Sequence, residues 1–414
     1  TVASGHNTDN LDYKATTSLA LNGGTIQDSA GNNATLTLPS PSATGSLSAN
    51  KSIVIDTTPP TITGTTISSD NSTLTVTFSE AVYNTNGGSG ALEASDFVLS
   101  ITGGTSTLSS TTPTGISSNG NSYTIDISNC LSGIADGNET ITINPVSNSI
   151  FDSVGNTALT NQSNNSINLN DITGPVADIT YSPTGSNGTN GPYKEDDVVT
   201  ITADFNGETL NNDVKITITG HSEVSMTPVD VTNTQFTYDY TVPAGHDGTK
   251  TISITGGTDT TGNTVHNTPN SGANFIIDNT APTITNIAIS NNNSTVTVTF
   301  SEAVYNTDGG SGALEASDFT LSISGGTATL SSTTPSSISQ AGNPYTLGVT
   351  LTGIPDGSET LTVNPVSNSI FDSAGNAAST SQSYNSVVLH DQTPPTITGT
   401  TISSDNSTLT VTFS

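Results

Sequence analysis

One sentence of sequence is written four times along the chain, and it fixes what the chain can fold into. Asp56-Thr-Thr-Pro-Pro60, Asp171-Ile-Thr-Gly-Pro175, Asp278-Asn-Thr-Ala-Pro282 and Asp391-Gln-Thr-Pro-Pro395 lie 115, 107 and 113 residues apart, counted between their aspartates. Repetition at this period means tandem modules of about 100 residues, the size of a seven-strand β-sandwich. Proline donates no backbone hydrogen bond and biases the residue before it towards extended geometry, so each copy is a short, stiff linker. The spacing predicts three complete modules, 57–171, 172–278 and 279–391. Residues 1–56 are expected to be the closing part of an earlier module, and 392–414 the first strands of a later one.

The modules are all-β. Thr73-Leu-Thr-Val-Thr-Phe-Ser79, Glu139-Thr-Ile-Thr-Ile-Asn144 and Thr251-Ile-Ser-Ile-Thr255 alternate apolar and polar residues strictly. That period marks antiparallel strands with one face on a core and one in water. It also answers the composition, which alone leans towards disorder: 31% hydrophobic residues and a net charge of −30 from 35 acidic and 5 basic side chains. A thin sandwich needs only alternate residues inside. Further strands are predicted at 197–205, 214–219, 235–242, 249–254 and 273–277. The segment Ala91-Leu-Glu-Ala-Ser-Asp-Phe97 and its copy at 313–319 are too short for a stable isolated helix and are expected to form one turn between strands.

Modules 57–171 and 279–391 are near copies. Ser79 to Phe97 matches Ser301 to Phe319 except for Asn86 against Asp308, and residues 144–153 recur unchanged at 364–373. Thr393 to Ser414 repeats Thr58 to Ser79 without a difference. The sequence is therefore expected to be a window on a longer array. An alternative treats the two ends as complementary parts of one sandwich shared between adjacent copies, which would make the chain the subunit of a self-assembling surface filament.

Several function classes are excluded or disfavoured. Five Lys and Arg residues cannot build a phosphate-binding face, so no nucleic acid is expected. No apolar run reaches the roughly 18 residues that span a membrane as a helix. A single cysteine allows neither a disulfide framework nor a thiolate metal cluster. His6, His221, His246, His266 and His390 form no His-Glu-x-x-His pair, and no Gly-x-Ser-x-Gly elbow occurs, so catalysis is not expected. The Gly-Gly run after Asn86 lacks the lysine of a phosphate loop. Cys130 is expected to be a buried or idle thiol, and Tyr83 and Tyr305 to cover the sandwich edge rather than stack on a sugar.

One constellation has a geometric argument. In a seven-strand sandwich the second strand returns to the leading pole, and the loop before the last strand lies at that pole too. Glu80 ends a second strand, Asp152 opens the loop Asp152-Ser-Val-Gly-Asn156, and Asp56 closes the preceding segment, so the three are expected to converge. Asp278, Glu302 and Asp372 form the equivalent downstream set. Asp171, Glu208 and Asp259 form a middle one, with Glu208 displaced by one residue. Asp28, in Asp28-Ser-Ala-Gly-Asn32, belongs to the partial first module, and Asp391 to the last joint. Three carboxylates with backbone carbonyls suit Ca²⁺, a hard cation with six to eight oxygen ligands. The plainer alternative is that Asp-x-x-Gly-Asn is a turn in which Asp caps backbone amides and Gly takes positive φ.

The joint, the strand end Val76-Thr-Phe-Ser-Glu-Ala-Val82 with its copy at 298–304, the Asp96–Ser100 and Asp318–Ser322 strand starts and the Asp-Ser-x-Gly-Asn loop resemble the immunoglobulin-like repeats of large bacterial surface adhesins and S-layer-associated proteins. The middle module keeps the joint but not the Phe-Ser-Glu spelling. The resemblance implies an extracellular or cell-surface stalk or fibre, non-catalytic, with calcium at its joints, whose partners are neighbouring modules of the same chain and, through lateral contacts, other copies. At about 3.3 Å per strand residue each module would be on the order of 40 Å long. The competing function is an array that binds glycan or host protein through its loops, against which stands the absence of Trp and the scarcity of aromatic residues.

Overall fold

Alternation of threonine with larger apolar residues sets the strands. In the computed structural model of the chain, which describes residues 1–183, 191–211 and 213–414, Thr73–Phe78 is a strand whose Leu74, Val76 and Phe78 side chains are at most 2% exposed, while the intervening threonines are half-buried. Threonine suits that half-exposed face, because its β-branch favours extended backbone and its hydroxyl tolerates water.

The chain divides into two compact units, Thr1–Thr173 and Gly174–Ser414. The first contains β1 (Ile62–Ile67), β2 (Thr73–Phe78), β3 (Phe97–Thr102), β4 (Thr107–Leu108), β5 (Gly115–Asn119), β6 (Ser122–Asp126), β7 (Leu131–Ser132), β8 (Thr140–Pro145) and β9 (Ser166–Asn168). One antiparallel sheet has the order β1-β2-β6-β5 and the other β3-β8-β9, with β4 and β7 paired at the side. Leaving out that short pair, this is the 4 + 3 strand order of an immunoglobulin constant-type sandwich. Between the sheets lie Leu74, Val76, Phe78, Phe97, Leu99, Ile125, Ile141 and Ile143. Phe78 meets Tyr123 edge-on with ring centroids 5.8 Å apart. The short helical candidate is a single 3₁₀ turn, Ala94–Asp96, leading into β3.

Residues 1–56 do not form the closing strands expected from the sequence. Pairing there is limited to bridges Thr8–Ile55 and Gln27–Asn33, with one helical turn, α1 (Leu47–Asn50), whose cap Ser46 accepts a 3.2 Å bond from Ala49 N. Ser46 is the segment's one buried residue.

In the second unit, β10 (Asp178–Ser182), β11 (Val198–Asp204), β12 (Lys215–Ile218), β13 (Val224–Ser225), β14 (Thr227–Pro228), β15 (Gln235–Thr241), β16 (Gly248–Thr255) and β17 (Asn274–Ile277) form sheets β10-β11-β15-β14 and β13-β12-β16-β17. Val199, Ile201, Phe205, Phe236, Tyr240, Ile252, Ile254 and Phe275 fill the space between them. Next come β18 (Ile284–Ile289), β19 (Thr295–Phe300), β20 (Phe319–Ser324), β21 (Thr329–Leu330), β22 (Ile338–Gln340), β23 (Tyr345–Gly348), β24 (Leu351–Thr352), β25 (Thr360–Pro365) and β26 (Ser386–Val388). Their sheets, β18-β19-β23-β22 and β20-β25-β26, repeat the first module's order around a separate core. A hairpin of β27 (Ile397–Ile402) and β28 (Leu409–Phe413) follows. Its Ile397, Leu409 and Phe413 are 58–65% exposed, whereas the same residues in the identical copy, Ile62, Leu74 and Phe78, are buried. The architecture is an all-β tandem array of immunoglobulin-like sandwiches.

Candidate metal centre

The loop after β8 is built by its first residue. Asp152 is fully buried, and its Oδ1 accepts bonds from the amides of Val154 (2.9 Å), Gly155 (2.6 Å) and Asn156 (2.8 Å). Gly155 takes φ +103°, which closes the turn. Asn156 Nδ2 donates both to Asp152 Oδ2 (2.6 Å) and to the backbone oxygen of Asp56 (3.1 Å), tying the loop to the end of the preceding segment. Asp372 repeats this, accepting from Ala374 N and Asn376 N at 2.8 Å each, while Asn376 Nδ2 bonds Asp372 Oδ2 and Asp278 O, both at 2.8 Å.

Around each loop a trio of carboxylates closes. Asp56, Glu80 and Asp152 in the first unit each place one oxygen within 4.8 Å of the others, as do Asp278, Glu302 and Asp372 in the second. Two oxygens on one Ca²⁺ ion, each at about 2.4 Å, lie at most about 4.8 Å apart. The separations and the hard oxygen donors therefore fit one calcium ion per trio. No member of either trio is in an ion pair among the described residues.

Electrostatics records the crowding. Glu302 is pushed up to about 7, by burial first and then by the charges of Asp372 and Asp278. Glu80 is raised for the same reasons, burial and then Asp152 and Asp56. Burial also raises Asp372, with Asp278 adding to it against the bonds from Asn376.

The middle set is drawn from both units. Asp171 lies two residues before the end of the first, bridged by backbone to Asp136, its Oδ1 accepting from Thr173 N at 2.8 Å. In the second, Glu208 is exposed on the turn after β11, its amide bonded to Phe205 O at 3.1 Å. Asp259 forms the same loop as Asp152, but Thr261 stands where that loop has Val154, and its hydroxyl adds a 2.8 Å bond to Asp259 Oδ1. Burial raises the Asp259 carboxyl, yet the bonds from Thr261 and Asn263 outweigh it and hold the group below its ordinary value. Asp28 makes the exposed version, accepting from Ala30 N and Asn32 N at 2.9 Å. Asp391 is exposed and accepts from Thr393 N at 2.7 Å.

The sequence reading missed two buried carboxylates. Glu139 is fully buried, with Oε1 accepting from Thr105 N (2.9 Å) and Ser106 N (2.7 Å) and Oε2 from Asp136 N (3.1 Å). Glu359 repeats it on Thr327, Ala328 and Asp356. The signal was present as Asp-Gly-x-Glu-Thr at 136–140 and 356–360 opposite Gly103-Gly104 and Gly325-Gly326. These glutamates clasp a neighbouring turn and face backbone donors, which suits a structural anchor rather than a metal ligand. Cys130 is buried, with burial raising its thiol above the ordinary value, and Tyr83 is half-buried, exchanging two 2.8 Å backbone bonds with Phe151.

No protein-family model matches the chain, and no curated protein matches its sequence. Solved structures similar to it include the N-terminal part of the bacterial S-layer protein SbsC (15% identity, 54% of this chain and 45% of that one, TM-score 0.21). Others are the Escherichia coli adhesin FdeC (15% identity, 80% and 95%, TM-score 0.25) and invasin, a bacterial integrin-binding protein (13%, 83% and 61%, TM-score 0.26). The chain thus spans under half of the SbsC fragment and about three fifths of the invasin structure. Likeness at these scores carries no functional argument; the class of the protein rests on its own strand order.

Proposed function

We propose that the chain is a non-catalytic, extracellular structural array, a segment of a surface stalk or fibre whose joints are stiffened by calcium. The observation that carries the reading is the make-up of the two trios. Each takes one carboxylate from the last residue of a segment and two from the module that follows, so an ion held there would fix the angle between them. The like charges gathered in each trio repel one another, and with burial this raises Glu302 and Glu80. The acidic, Thr- and Ser-rich composition is consistent with a surface location.

The test is a thermal melt of the whole chain with calcium and with chelator, paired with solution scattering in both. The reading expects a calcium-dependent rise in melting temperature and a stiffer, more extended particle. No change in either would leave the aspartates as turn formers and end the calcium proposal.

A further inference from the structure

Near-identical copies are informative where they differ. Across Ser79–Phe97 and Ser301–Phe319 the single difference is Asn86 against Asp308. Both side chains occupy one place in the fold, against the glycine of the carboxylate loop. A Cβ on Gly155 would collide with Asn86 Oδ1, and one on Gly375 with Asp308 Oδ1. What differs is the neighbour. At Gly375 a lysine of the preceding module arrives as well: Lys194 Nζ bonds Asp308 Oδ1 at 2.9 Å and Gly375 O at 2.9 Å. The only other ion pair found among the described residues, Lys215 with Glu223, lies within one module.

Lys194 is held for this reach. Tyr193 beside it is buried against Phe275 and accepts a 2.8 Å bond from Asp278 N, while Lys194 N bonds Asp197 Oδ2 at 3.0 Å. The lysine is therefore rooted beside the last residue of its own module and grips the two loops of the next that face it. An exposed pair of this kind adds little to stability, and its larger effect is on which partner fits. Against a module with Asn at this place the ammonium would lose its carboxylate. An Asp there without the lysine would add uncompensated charge to a loop already crowded by carboxylates.

We infer that Lys194, Asp308 and Gly375 O form a module-order lock: the 172–278 module accepts behind it a module with Asp, rather than Asn, at the position of Asp308. This rests on the reading of the joints as stiff connections and adds the rule for which modules they connect.

Pulsed electron paramagnetic resonance on the full chain tests it. Cys130 is replaced by alanine, and spin labels are attached at Val231→Cys and Ile354→Cys, both exposed and one on each side of the joint. In chelator, Lys194→Met and Asp308→Asn should each widen the distance distribution about twofold, free motion being the default for a small interface. The exchanged pair Lys194→Asp with Asp308→Lys should restore the original width, and high salt should widen the parent but not Lys194→Met. Unchanged width in Lys194→Met, or an exchanged pair as broad as the single variants, overturns the lock. Calcium is added as a separate arm. If it leaves every width unchanged the trio reading fails, while the chelated comparison still decides the lock.

Discussion

Replacing Glu302 by glutamine should stabilise the calcium-free protein, and only at higher pH. The folded protein holds this carboxyl at about 7 against an ordinary 4.5, because burial and the charges of Asp372 and Asp278 disfavour its ionised form. A raised carboxyl means the native state binds the proton more tightly than the unfolded chain. The penalty is therefore absent below about pH 4.5, grows through the interval and is complete above about 7. Taken at about 1.4 kcal/mol per unit, the shift would be worth roughly 3 kcal/mol. The glutamate is partly exposed, so solvent screening reduces this to roughly 1–2 kcal/mol. For a module near 100 residues that is on the order of 5–10 °C in melting temperature. Calorimetry in chelator at pH 4 and pH 8 should show Glu302→Gln close to the parent at the lower pH and melting higher at the upper one. With calcium the sign should reverse, because the variant loses a ligand. A variant that melts lower than the parent at pH 8 in chelator would show that the trio is not strained by like charge, and the argument would fall.

Other perturbations probe the remaining features. Val154→Thr would give the Asp152 loop the hydroxyl that Thr261 supplies to Asp259; titration calorimetry should then show weaker calcium binding at the first trio, and unchanged binding would refute a role for that hydroxyl. Glu139→Ala leaves three amides, one buried and two part-buried, without their acceptor and should cost about 2–3 kcal/mol, read as a lower urea midpoint for the first module; a loss under about 1 kcal/mol would mean water takes over the clasp. Gly104→Ala meets both a φ of +57° and the Glu139 carboxylate, and should destabilise the same transition by roughly 2 kcal/mol or more. Cys130 should react with a thiol reagent only as fast as its module opens; prompt labelling of the native protein would contradict its burial.

Much of the sandwich was legible because a half-buried strand writes its geometry into every second residue. The predicted strand at 197–205 is β11, and that at 249–254 is β16, each within a residue or so at either end. The convergence of the carboxylates followed from topology alone, since a loop before the last strand and the end of the second must share a pole. The role of Glu139 is not legible although the same rule points to it. It has the parity of Ile141 and Ile143, which face the core, but a charged residue at a strand end is usually solvated, and three backbone donors from two separate turns do not show in a local pattern. Asp259 is legible as the same kind of loop, but its extra bond is not. Its loop, Asp259-Thr-Thr-Gly-Asn263, differs from that of Asp152 at Thr260 and Thr261, and the Thr261 hydroxyl adds a bond to the carboxylate that the Asp152 loop lacks. The segment 1–56 carries only isolated bridges and one helical turn, which its sequence does not announce.

The joints also have a chemical lifetime. Asn156 and Asn376 each hold two acceptors with one amide nitrogen, the carboxylate of their own loop and the backbone oxygen of the segment before it. Slow hydrolysis of that amide would turn the shared donor into an aspartate, removing the strap and adding a fourth negative charge to the three already gathered. Ageing at one atom would then loosen a whole module boundary, and the mass change of the loop peptide, followed against the melting of its module, would time it.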